Sequence, residues 1–273
     1  MLADIFLAEP LNNLWAGKDP FVAVEALDGP VYRQKEGRVV FRVELDGAAY
    51  FVKIHRGIGW REIFKNLLSF RLPVLGARQE LLAIRCLEQA GIPTLKPVGY
   101  GRRGLNPARQ HSFLITEELA PTISLEDYCQ DWERTPPPLP LKRALIDRVA
   151  DTLRGMHGAG LNHRDCYLCH FLLHTDCPPA PDNLRLSVID LHRSQVRSRV
   201  PLRWRDKDLA GLYFSALHIG LTRNDKLRFL KRYFRQPLRD ILIREASLLS
   251  WLERKAARLL ERYRRKYAPG VQT

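Results

Sequence analysis

Apolar and polar residues alternate between residues 31 and 55. Strand-forming residues fill this stretch, and an acidic residue followed by glycine interrupts it at residues 36–37 and 46–47. Such pairs favour tight hairpin turns. The pattern predicts three antiparallel strands, with Lys53 near the end of the third.

The next segment, residues 57–75, has a different pattern. Large apolar side chains recur and are interleaved with Arg61, Lys65 and Arg71. This predicts an amphipathic, basic insertion. Its apolar positions are Ile58, Trp60, Ile63, Phe64, Leu67, Leu68, Phe70 and Leu72.

One helix and two more strands are predicted after the insertion. Residues 77–91 are typical of a helix with Glu80 in its first turns, ended by the glycine and proline at residues 91–93. Residues 94–101 and 111–119 are strand candidates.

The second half of the chain is mostly helical by pattern. A short helix is predicted to begin at Ser124, whose spacing to Asp127 resembles a capping box. The other predicted elements are a helix at 141–160, strands at 171–174 and 185–190, and three or four helices within 204–267, broken near Gly220 and Pro237.

Together these elements predict an α+β protein with two lobes. The N-terminal lobe, residues 1–118, would hold an antiparallel sheet with one helix, and residues 119–273 would form a mainly helical C-terminal lobe. Clefts between lobes commonly hold ligands.

The composition is that of a globular protein, with 45% hydrophobic and 27% charged residues among 273. No apolar run approaches the roughly 20 residues of a spanning helix, and the first residues lack a signal-peptide pattern. We therefore expect a cytoplasmic protein. Five cysteines without the spacing of a disulfide framework are expected to be free thiols.

The chain is strongly basic, with a formal net charge of +14. Residues 223–267 contain fifteen Lys and Arg against five Asp and Glu. This balance favours nucleic acid, anionic lipid or an acidic protein as a partner. The alternative is a solvated basic helical face.

Four elements with charged residues occur in an order that is typical of kinases: Lys53 in a strand, Glu80 in the next helix, HRDCYLCH at residues 163–170, and Asp190 after an apolar strand. Each signal is weak alone, because such residues are often surface charges. Their order over about 140 residues resembles the protein-kinase-like superfamily, whose two-lobe fold the predicted elements match.

Phosphoryl transfer requires cations against the phosphates, bound magnesium and an oriented hydroxyl. The resemblance implies that Lys53 binds the α- and β-phosphates of ATP, while Glu80 fixes the direction of Lys53. It also implies that Asp165 accepts the hydroxyl proton and that Asp190 holds Mg²⁺.

The chain departs from protein kinases in several places. No Gly-x-Gly-x-x-Gly separates the first two strands, so phosphate contacts are expected from Arg38 or the backbone, with Glu117 and Leu119 also binding the nucleotide. His170 replaces a metal-binding Asn and suits Mg²⁺ less well than oxygen does. Asp190 alone remains of Asp-Phe-Gly, and no Ala-Pro-Glu follows, which argues against a regulated protein kinase.

Over nearly its whole length the chain is similar to the lipopolysaccharide core heptose(I) kinase family of Gram-negative bacteria. The resemblance implies phosphorylation of O-4 of the first inner-core heptose, on a lipid-linked acceptor at the cytoplasmic face of the inner membrane. The segments that carry it are HRDCYLCHFLLH, VIDLHRSQ, YFVKIHRGIGW, LPVLGARQE, ARQHSFLITEELAPT and RWRDKDLAGLYFSA.

The same resemblance assigns further residues. Arg164 is expected to take part in catalysis, and His163 and Asp208 are expected to support the backbone of the catalytic loop. Arg164, His192 and Arg193 lie on the expected acceptor side, but the sequence does not identify the residues that bind the sugar.

The basic surface would attract a polyanionic acceptor in an anionic membrane. Each basic residue near the lipid contributes roughly 1 kcal/mol to the free energy of membrane binding. The insertion at residues 57–75 could place its apolar face in this interface. Alternatively, Trp60, Phe64 and Leu68 pack on the N-terminal sheet. A third possibility is docking of an acidic, lipid-bearing partner such as an acyl carrier protein.

The cysteines of the catalytic loop allow other interpretations. Cys166, Cys169 and His170 match the pattern of c-type haem attachment, although that requires export. Together with His163 and His174 they could bind zinc. Otherwise the two cysteines are small loop residues packed beneath the catalytic aspartate.

Two other functions stay open. The enzymatic alternative is a tyrosine or Ser/Thr protein kinase, with Tyr32, Tyr50 and Tyr167 available for autophosphorylation. The non-enzymatic alternative is a nucleic-acid- or membrane-binding module on the C-terminal helices. Nucleic acid is disfavoured, because it leaves Lys53 and the aspartates unexplained.

Overall fold

The computed structural model describes residues 4–35, 37–68 and 76–267. The chain forms two compact units. The first contains Met1–Arg85, Thr94–Leu119 and Leu191–Arg193, and the second contains Cys86–Pro93, Ala120–Asp190 and Ser194–Thr273.

The first unit is built on a six-stranded antiparallel sheet. Its strands are β1 (Asp4–Leu7), β2 (Val31–Lys35), β3 (Arg38–Leu45), β4 (Ala48–His55), β5 (Pro97–Arg103) and β6 (His111–Glu117). They lie in the spatial order β1, β5, β6, β4, β3, β2. The five strands predicted from the sequence are confirmed, and β1 is an additional edge strand.

Among the described residues, four helices accompany this sheet: α1 (Glu9–Leu14), α2 (Pro20–Glu25), α3 (Gly59–Leu68) and α4 (Arg78–Gln89). The helix predicted to carry Glu80 is α4. The sequence pattern did not predict α1 and α2, which are only six residues each and both have a proline in the first turn.

Apolar residues on one face of the sheet form a core with α1 and α2. Val52 and Ile54 of β4 pack there with Leu11, Phe21 and Phe113. Successive strand residues point to opposite faces. The residues that alternate with Val52 and Ile54, including Lys53, therefore lie on the other face.

The second unit is mainly helical, as predicted. Its helices are α5 (Leu125–Tyr128), α6 (Leu139–Gly158), α7 (Leu202–Ser215), α8 (Arg223–Phe234), α9 (Leu238–Arg244) and α10 (Ala246–Tyr267). Its strands are β7 (Thr122–Ser124), β8 (Leu161–Asn162), β9 (Phe171–His174), β10 (Leu186–Val188) and β11 (Gln195–Val196). Strands β10, β9 and β7 form one sheet, and β11 pairs with β8.

The predicted helix boundaries in this unit have clear local causes. The Ser124 hydroxyl accepts a hydrogen bond from the Asp127 N–H at 3.1 Å and begins α5. Gly220 adopts a left-handed φ of 63° between α7 and α8. Pro237 is the residue before α9. The breaks predicted at Gly220 and Pro237 are confirmed.

The described part of the predicted insertion is α3, and residues 69–75 lie outside the described residues. Trp60, Phe64 and Leu68 recur every four residues along α3 and are 50%, 57% and 82% exposed. The Trp60 and Phe64 rings stack with centroids 5.8 Å apart. The alternative that these three side chains pack on the sheet is therefore wrong, because their apolar surface faces solvent.

Within the described ranges, none of the helices combines the length and the apolar character needed to span a bilayer.

Candidate active site

Lys53 and Glu80 form a buried ion pair in the first unit. Lys53 is near the end of β4, paired with Val40 of β3 and Leu114 of β6. Glu80 lies in the first turn of α4. The two residues are 8% and 1% exposed, and the Lys53 Nζ donates to the Glu80 Oε1. A partner this deeply buried fixes the direction of the lysine.

His55 is a neighbour of Lys53 that the sequence analysis did not single out. It lies two residues further along β4, on the same face, and pairs with Arg38 of β3. The side chain is buried, and its Nε2 has no hydrogen-bond partner among the described residues. Burial first, then the charges of Arg38, Lys53 and His192, lower the pKa of His55 to about 3. The imidazole is therefore neutral at pH 7.

Arg38, Glu117 and Leu119 occupy different surroundings. Arg38 is half-buried beside His55, on the face of the sheet that carries Lys53. Glu117 ends β6, and its carboxylate forms a surface ion pair with Lys96 at 2.7 Å. Leu119 follows β6 and is half-buried. With the Glu117 carboxylate engaged by Lys96, a nucleotide contact at this residue would use the backbone.

The loop at residues 163–170 in the second unit is held by Asp208 of α7. The Asp208 carboxylate accepts hydrogen bonds from the N–H groups of His163 at 2.7 Å and Arg164 at 2.8 Å. The imidazole of His157 contacts the same carboxylate at 3.2 Å. Arg164 adopts a left-handed φ of 72°, which is unfavourable for arginine. The two hydrogen bonds hold this strained backbone in place.

Two parallel imidazoles connect the loop to Asp190. His170 Nδ1 donates to the carbonyl of Asp165 at 2.7 Å, and His163 Nε2 donates to the carbonyl of Ile189 at 2.9 Å. The rings are 4° from parallel, with centroids 5.4 Å apart. The remaining nitrogen of His170, Nε2, lies 3.4 Å from the Asp190 carboxylate.

Burial lowers the pKa of His163, more strongly than the nearby Asp208 raises it. The His163 ring is therefore neutral at pH 7, which agrees with its single hydrogen bond to a carbonyl. The hydrogen bond from His163 to the carbonyl of Ile189 connects the loop to the segment just before Asp190.

Asp190 and His170, the residues expected to hold Mg²⁺, lie 3.4 Å apart. The carboxylate suits this ion, and a neutral imidazole nitrogen suits it less well. Within the described ranges, no cluster of three or more His, Cys, Asp or Glu side chains could hold a metal ion. A magnesium ion bound here would need phosphate oxygens and water as its other ligands.

Cys166 and Cys169 are free thiols, like the other three cysteines. Cys166 is 1% exposed, and burial raises its pKa well above the usual value. Burial raises the pKa of Cys169 to about 11. Both residues are therefore thiols at pH 7 without a metal ion, and among the described residues no group of three or more His, Cys, Asp or Glu could hold one. Burial also hides Cys166 from a haem vinyl group, so neither the zinc nor the haem interpretation is favoured.

The tyrosines proposed for autophosphorylation differ in exposure. Tyr32 is 63% exposed on β2, whereas Tyr50 is only 4% exposed in β4. Tyr167 is half-buried in the loop at residues 163–170. The expectation that Tyr50 is available is wrong, because its side chain lies within the core of the first unit.

An apolar cavity of about 320 Å³ lies within the second unit. Helices α6, α7, α8 and α10 line it with side chains that include Leu145, Val149, Leu212, Phe229 and Leu249. Ligand pockets start at about 300 Å³. No sequence pattern indicated this cavity, because its lining residues have the spacing of ordinary core positions.

The predicted residues fall into two groups. Lys53, Glu80 and Arg38 lie together on one face of the first unit's sheet. In the second unit, hydrogen bonds and ring contacts join Asp165, His163, His170, Asp190 and Asp208. The first group supplies the anchored lysine that a kinase needs, and the second supplies a fixed loop with two carboxylates.

Relatives of the chain are identified by sequence and by structure. The lipopolysaccharide core heptose(I) kinase WaaP of Pseudomonas aeruginosa is 65% identical over 261 residues, which cover 96% of this chain and 97% of that protein. The WaaP protein of Escherichia coli K12 is 56% identical over 260 residues, covering 95% and 98%. Protein InaA of the same strain is 26% identical over 192 residues, covering 70% and 81%.

A solved structure of WaaP in complex with acyl carrier protein has a TM-score of 0.85 and 60% identity, covering 94% of this chain and 99% of that chain. The sequence pattern of the lipopolysaccharide kinase (Kdo/WaaP) family matches residues 22–233. The match spans most of the chain, and the WaaP relatives share more than half of its residues across their full length. The chain therefore belongs to the lipopolysaccharide kinase (Kdo/WaaP) family.

Proposed function

We propose that the chain transfers the γ-phosphate of ATP to O-4 of the first heptose of the lipopolysaccharide inner core. The observation that carries this proposal is the loop at residues 163–170, held by Asp208 next to Asp190, in a chain whose full-length relatives are named heptose(I) kinases. As a member of a kinase family the chain is a phosphotransferase that uses ATP.

Asp165 acts as the general base for the heptose hydroxyl. Its backbone carbonyl is fixed by His170, and the preceding residue, Arg164, is fixed by Asp208. A positioned base is worth about 10² to 10⁴ in rate. His163 supports the same loop through its bond to residue 189.

The nucleotide is held mainly by Lys53, which Glu80 directs toward the α- and β-phosphates. Arg38 adds a second cation on the same face of the sheet, in place of a glycine-rich loop. The backbone of Glu117 and Leu119 completes the nucleotide site. Asp190 and His170 would hold Mg²⁺, which when bound neutralises charge that develops on the phosphates.

The proposed boundary between the lobes lies at residue 118. Lys53, Glu80, Arg38 and Glu117 belong to lobe 1–118, and Leu119 and the catalytic loop belong to lobe 119–273. Arg164, His192 and Arg193 face the acceptor. These boundaries and roles follow from the order of the motifs.

The acceptor is lipid-linked, so the protein works at the cytoplasmic face of the inner membrane as a peripheral protein. The exposed face of α3 supports this location. Trp60, Phe64 and Leu68 present apolar surface every four residues, and Arg61 and Lys65 supply positive charge to anionic headgroups. An amphipathic helix of this kind lies in the plane of a membrane interface.

An acidic acyl carrier protein is proposed as a protein partner. A solved relative is in complex with acyl carrier protein, and this chain carries a formal charge of +14 that complements an acidic surface. The apolar cavity of the second unit, at about 320 Å³, would receive the apolar chain that such a carrier bears.

The test is transfer of labelled γ-phosphate from ATP to lipopolysaccharide stripped of its core phosphates, in the presence of magnesium. Label on the inner-core heptose with the wild type, and none with Asp165→Asn, is the expected result. Label on the protein alone would instead favour a protein kinase. No label on either would overturn the proposed reaction.

A further inference from the structure

The side chain of Trp204, on α7, is surrounded by cationic side chains. The centre of the indole ring lies 4.3 Å from Lys207, 5.1 Å from Arg203, 5.4 Å from Arg164 and 6.0 Å from Arg197. Three of the four are guanidinium groups. We call these four residues together with Trp204 the Trp204 cluster.

Carboxylates do not balance the charges of Arg203 and Lys207, since neither residue has a carboxylate partner among the described residues. Arg197 donates to the amide oxygens of Asn162 and Gln195, which are neutral. On α7 itself, the carboxylate of residue 206 is engaged by the adjacent arginine, and that of residue 208 is engaged by the catalytic loop. Arg203 and Lys207 therefore add positive charge to the cluster that no carboxylate of the described residues pairs with.

Like charges crowd around Lys207. Burial first, and then the charges of Lys255, Arg203 and Arg164, lower the pKa of Lys207. Repulsion of this kind disfavours the folded protein, and a bound anion would relieve it. In addition, the indole Nε1–H of Trp204 is buried without a hydrogen-bond partner in the described part of the chain.

The Trp204 cluster is fixed relative to the catalytic loop. Arg164 is part of that loop and directly precedes the proposed base, Asp165. Asp208, one turn after Trp204 on α7, holds the loop backbone at 2.7 and 2.8 Å. Gly211 of the same helix approaches so closely that an added Cβ would lie 2.7 Å from the carbonyl oxygen of residue 166. An anion in the cluster is therefore placed with respect to Asp165.

We propose that the Trp204 cluster binds an oxyanion of the acceptor, the carboxylate of an acidic sugar joined to the heptose that is phosphorylated. The inference rests on the proposed function and names the part of the substrate that its second unit recognises. Guanidinium groups suit carboxylates, because their paired N–H donors match the two oxygens. The cluster thereby orients the heptose hydroxyl toward Asp165.

The experiment compares Lys207→Met with Lys231→Met. Lys231 is exposed on α8 and outside the cluster, so both variants lose one positive charge. Binding of phosphate-stripped core oligosaccharide is measured without ATP, and KM and kcat for transfer are measured separately. Lys207→Met is expected to weaken oligosaccharide binding about tenfold, the equivalent of one charge-assisted hydrogen bond. The KM for ATP should not change, and Lys207→Arg should restore affinity.

The source of the anion is tested with an oligosaccharide whose carboxyl groups have been reduced to alcohols. Wild type should bind the reduced form at least as weakly as Lys207→Met binds the unreduced form, because reduction removes the partner of all four cations. Lys207→Met keeps three guanidinium groups, so it should distinguish the two forms by a smaller factor than wild type does. The inference would be overturned if Lys231→Met lost as much affinity for the oligosaccharide as Lys207→Met does. It would also be overturned if wild type bound the reduced and unreduced forms equally well. Competition by phosphatidylglycerol vesicles alone would overturn it in favour of a lipid headgroup site.

The two proposals fail in different ways. If the wild type phosphorylates the heptose and Lys207→Met binds the oligosaccharide as well as wild type does, the kinase reaction is supported and the role of the Trp204 cluster is contradicted. If binding of the oligosaccharide depends on its carboxylate and on Lys207, but the wild type transfers no phosphate to it, the anion site is supported and the kinase reaction is contradicted.

Discussion

Asp165 is the residue on which the proposed chemistry depends. Its backbone is fixed by a hydrogen bond from His170, so replacing the carboxylate with an amide should leave the loop intact. Asp165→Asn is expected to lower kcat by about 10² to 10⁴, because the amide cannot accept the hydroxyl proton. Initial rates of phosphate transfer at saturating ATP measure this effect.

The matched control is Asp182→Asn, which changes the same group at an exposed position. Nucleotide binding should be unchanged in both variants. A kcat for Asp165→Asn within about twofold of the wild type would remove Asp165 from the mechanism, because a general base contributes far more than that.

Glu80 and Lys53 provide a prediction at the same scale about stability. Glu80→Gln leaves the buried ammonium of Lys53 without a charged partner, and breaking a buried pair costs about 3–5 kcal/mol. Replacing both, as Lys53→Met with Glu80→Gln, removes the uncompensated charge. Urea unfolding should therefore show the double variant to be more stable than Glu80→Gln alone, and the reverse order would contradict a stabilising pair.

The sequence analysis singled out residues that occur in a recognisable order of motifs along the chain. It missed residues that are notable only for their three-dimensional environment. The order of Lys53 and Glu80 predicted their pairing. His55 and Trp204 showed no comparable pattern, because the missing hydrogen-bond partners and the crowding of cations exist only after folding. Tyr50 was misjudged for the same reason, since burial in a sheet is a tertiary property.

At the scale of elements, the start of α8 is held by a buried ion pair with α6. Asp225 closes a capping box with Thr222 and contacts Lys142 at 2.8 Å. Burial raises the pKa of Asp225, but hydrogen bonds from Lys142 and Thr222 together lower it below its ordinary value of 3.8. The carboxylate therefore stabilises the fold above pH 3.8, and this contribution is lost as the pH falls through the lower, folded-state pKa.

The expected result is a pH-dependent difference between wild type and Asp225→Asn. The wild type should be more stable by about 1–3 kcal/mol near neutral pH, where the amide cannot pair with Lys142. The difference should shrink as the pH falls below 3.8. Urea midpoints across this range measure it, and a difference independent of pH would show that the charge of Asp225 does not contribute.

The exposed face of α3 provides a prediction about membrane association. Leu68→Ser and Leu105→Ser replace the same residue at two exposed positions, 82% and 97% exposed. Only Leu68 belongs to the apolar face of α3. Leu68→Ser should weaken binding to anionic vesicles about tenfold, since burial of a leucine contributes about 1.5–3 kcal/mol. Sedimentation with vesicles measures both variants, and an equal effect of Leu105→Ser would speak against α3.

The fold was predicted best where local rules are strong. Alternation and acidic-glycine turns set β2, β3 and β4, and the breaks at Gly220 and Pro237 separated the last helices. Strand β1 and helices α1 and α2 were not predicted. They are four to six residues long, too short for a periodic pattern to emerge, and depend on packing against the sheet.

At the scale of the whole molecule, the net charge is less concentrated than the sequence suggested. The surplus in residues 223–267 is partly neutralised by acidic residues of α6, since Arg228 pairs with Asp147 and Arg232 pairs with Asp151, both at 2.5 Å. Basic residues without such partners, as at positions 203 and 207 of the Trp204 cluster, therefore contribute more of the attraction for polyanions than a count along the chain indicates.

The proposed binding of the carrier has two contributions: electrostatic attraction of the carrier protein, and burial of its acyl chain in the apolar cavity. The two contributions can be measured separately. Charge complementarity brings an acidic carrier to the basic surface, so binding of the carrier without an acyl chain should weaken as salt rises. The acyl chain should add affinity only through the cavity. Wild type is therefore expected to bind the acylated carrier more tightly than the unacylated one.

Ala216→Phe tests the cavity, because Ala216 lines it and a phenyl ring would fill part of its volume of about 320 Å³. The variant should bind both forms of the carrier with similar affinity. The phenyl ring would exclude the acyl chain from the cavity, and the charged surface would be unchanged. Titration calorimetry with the two forms measures the ratio of affinities. An undiminished preference for the acylated form in a folded Ala216→Phe protein would show that the chain binds elsewhere, and an equal loss for both forms would place the carrier itself at this cavity.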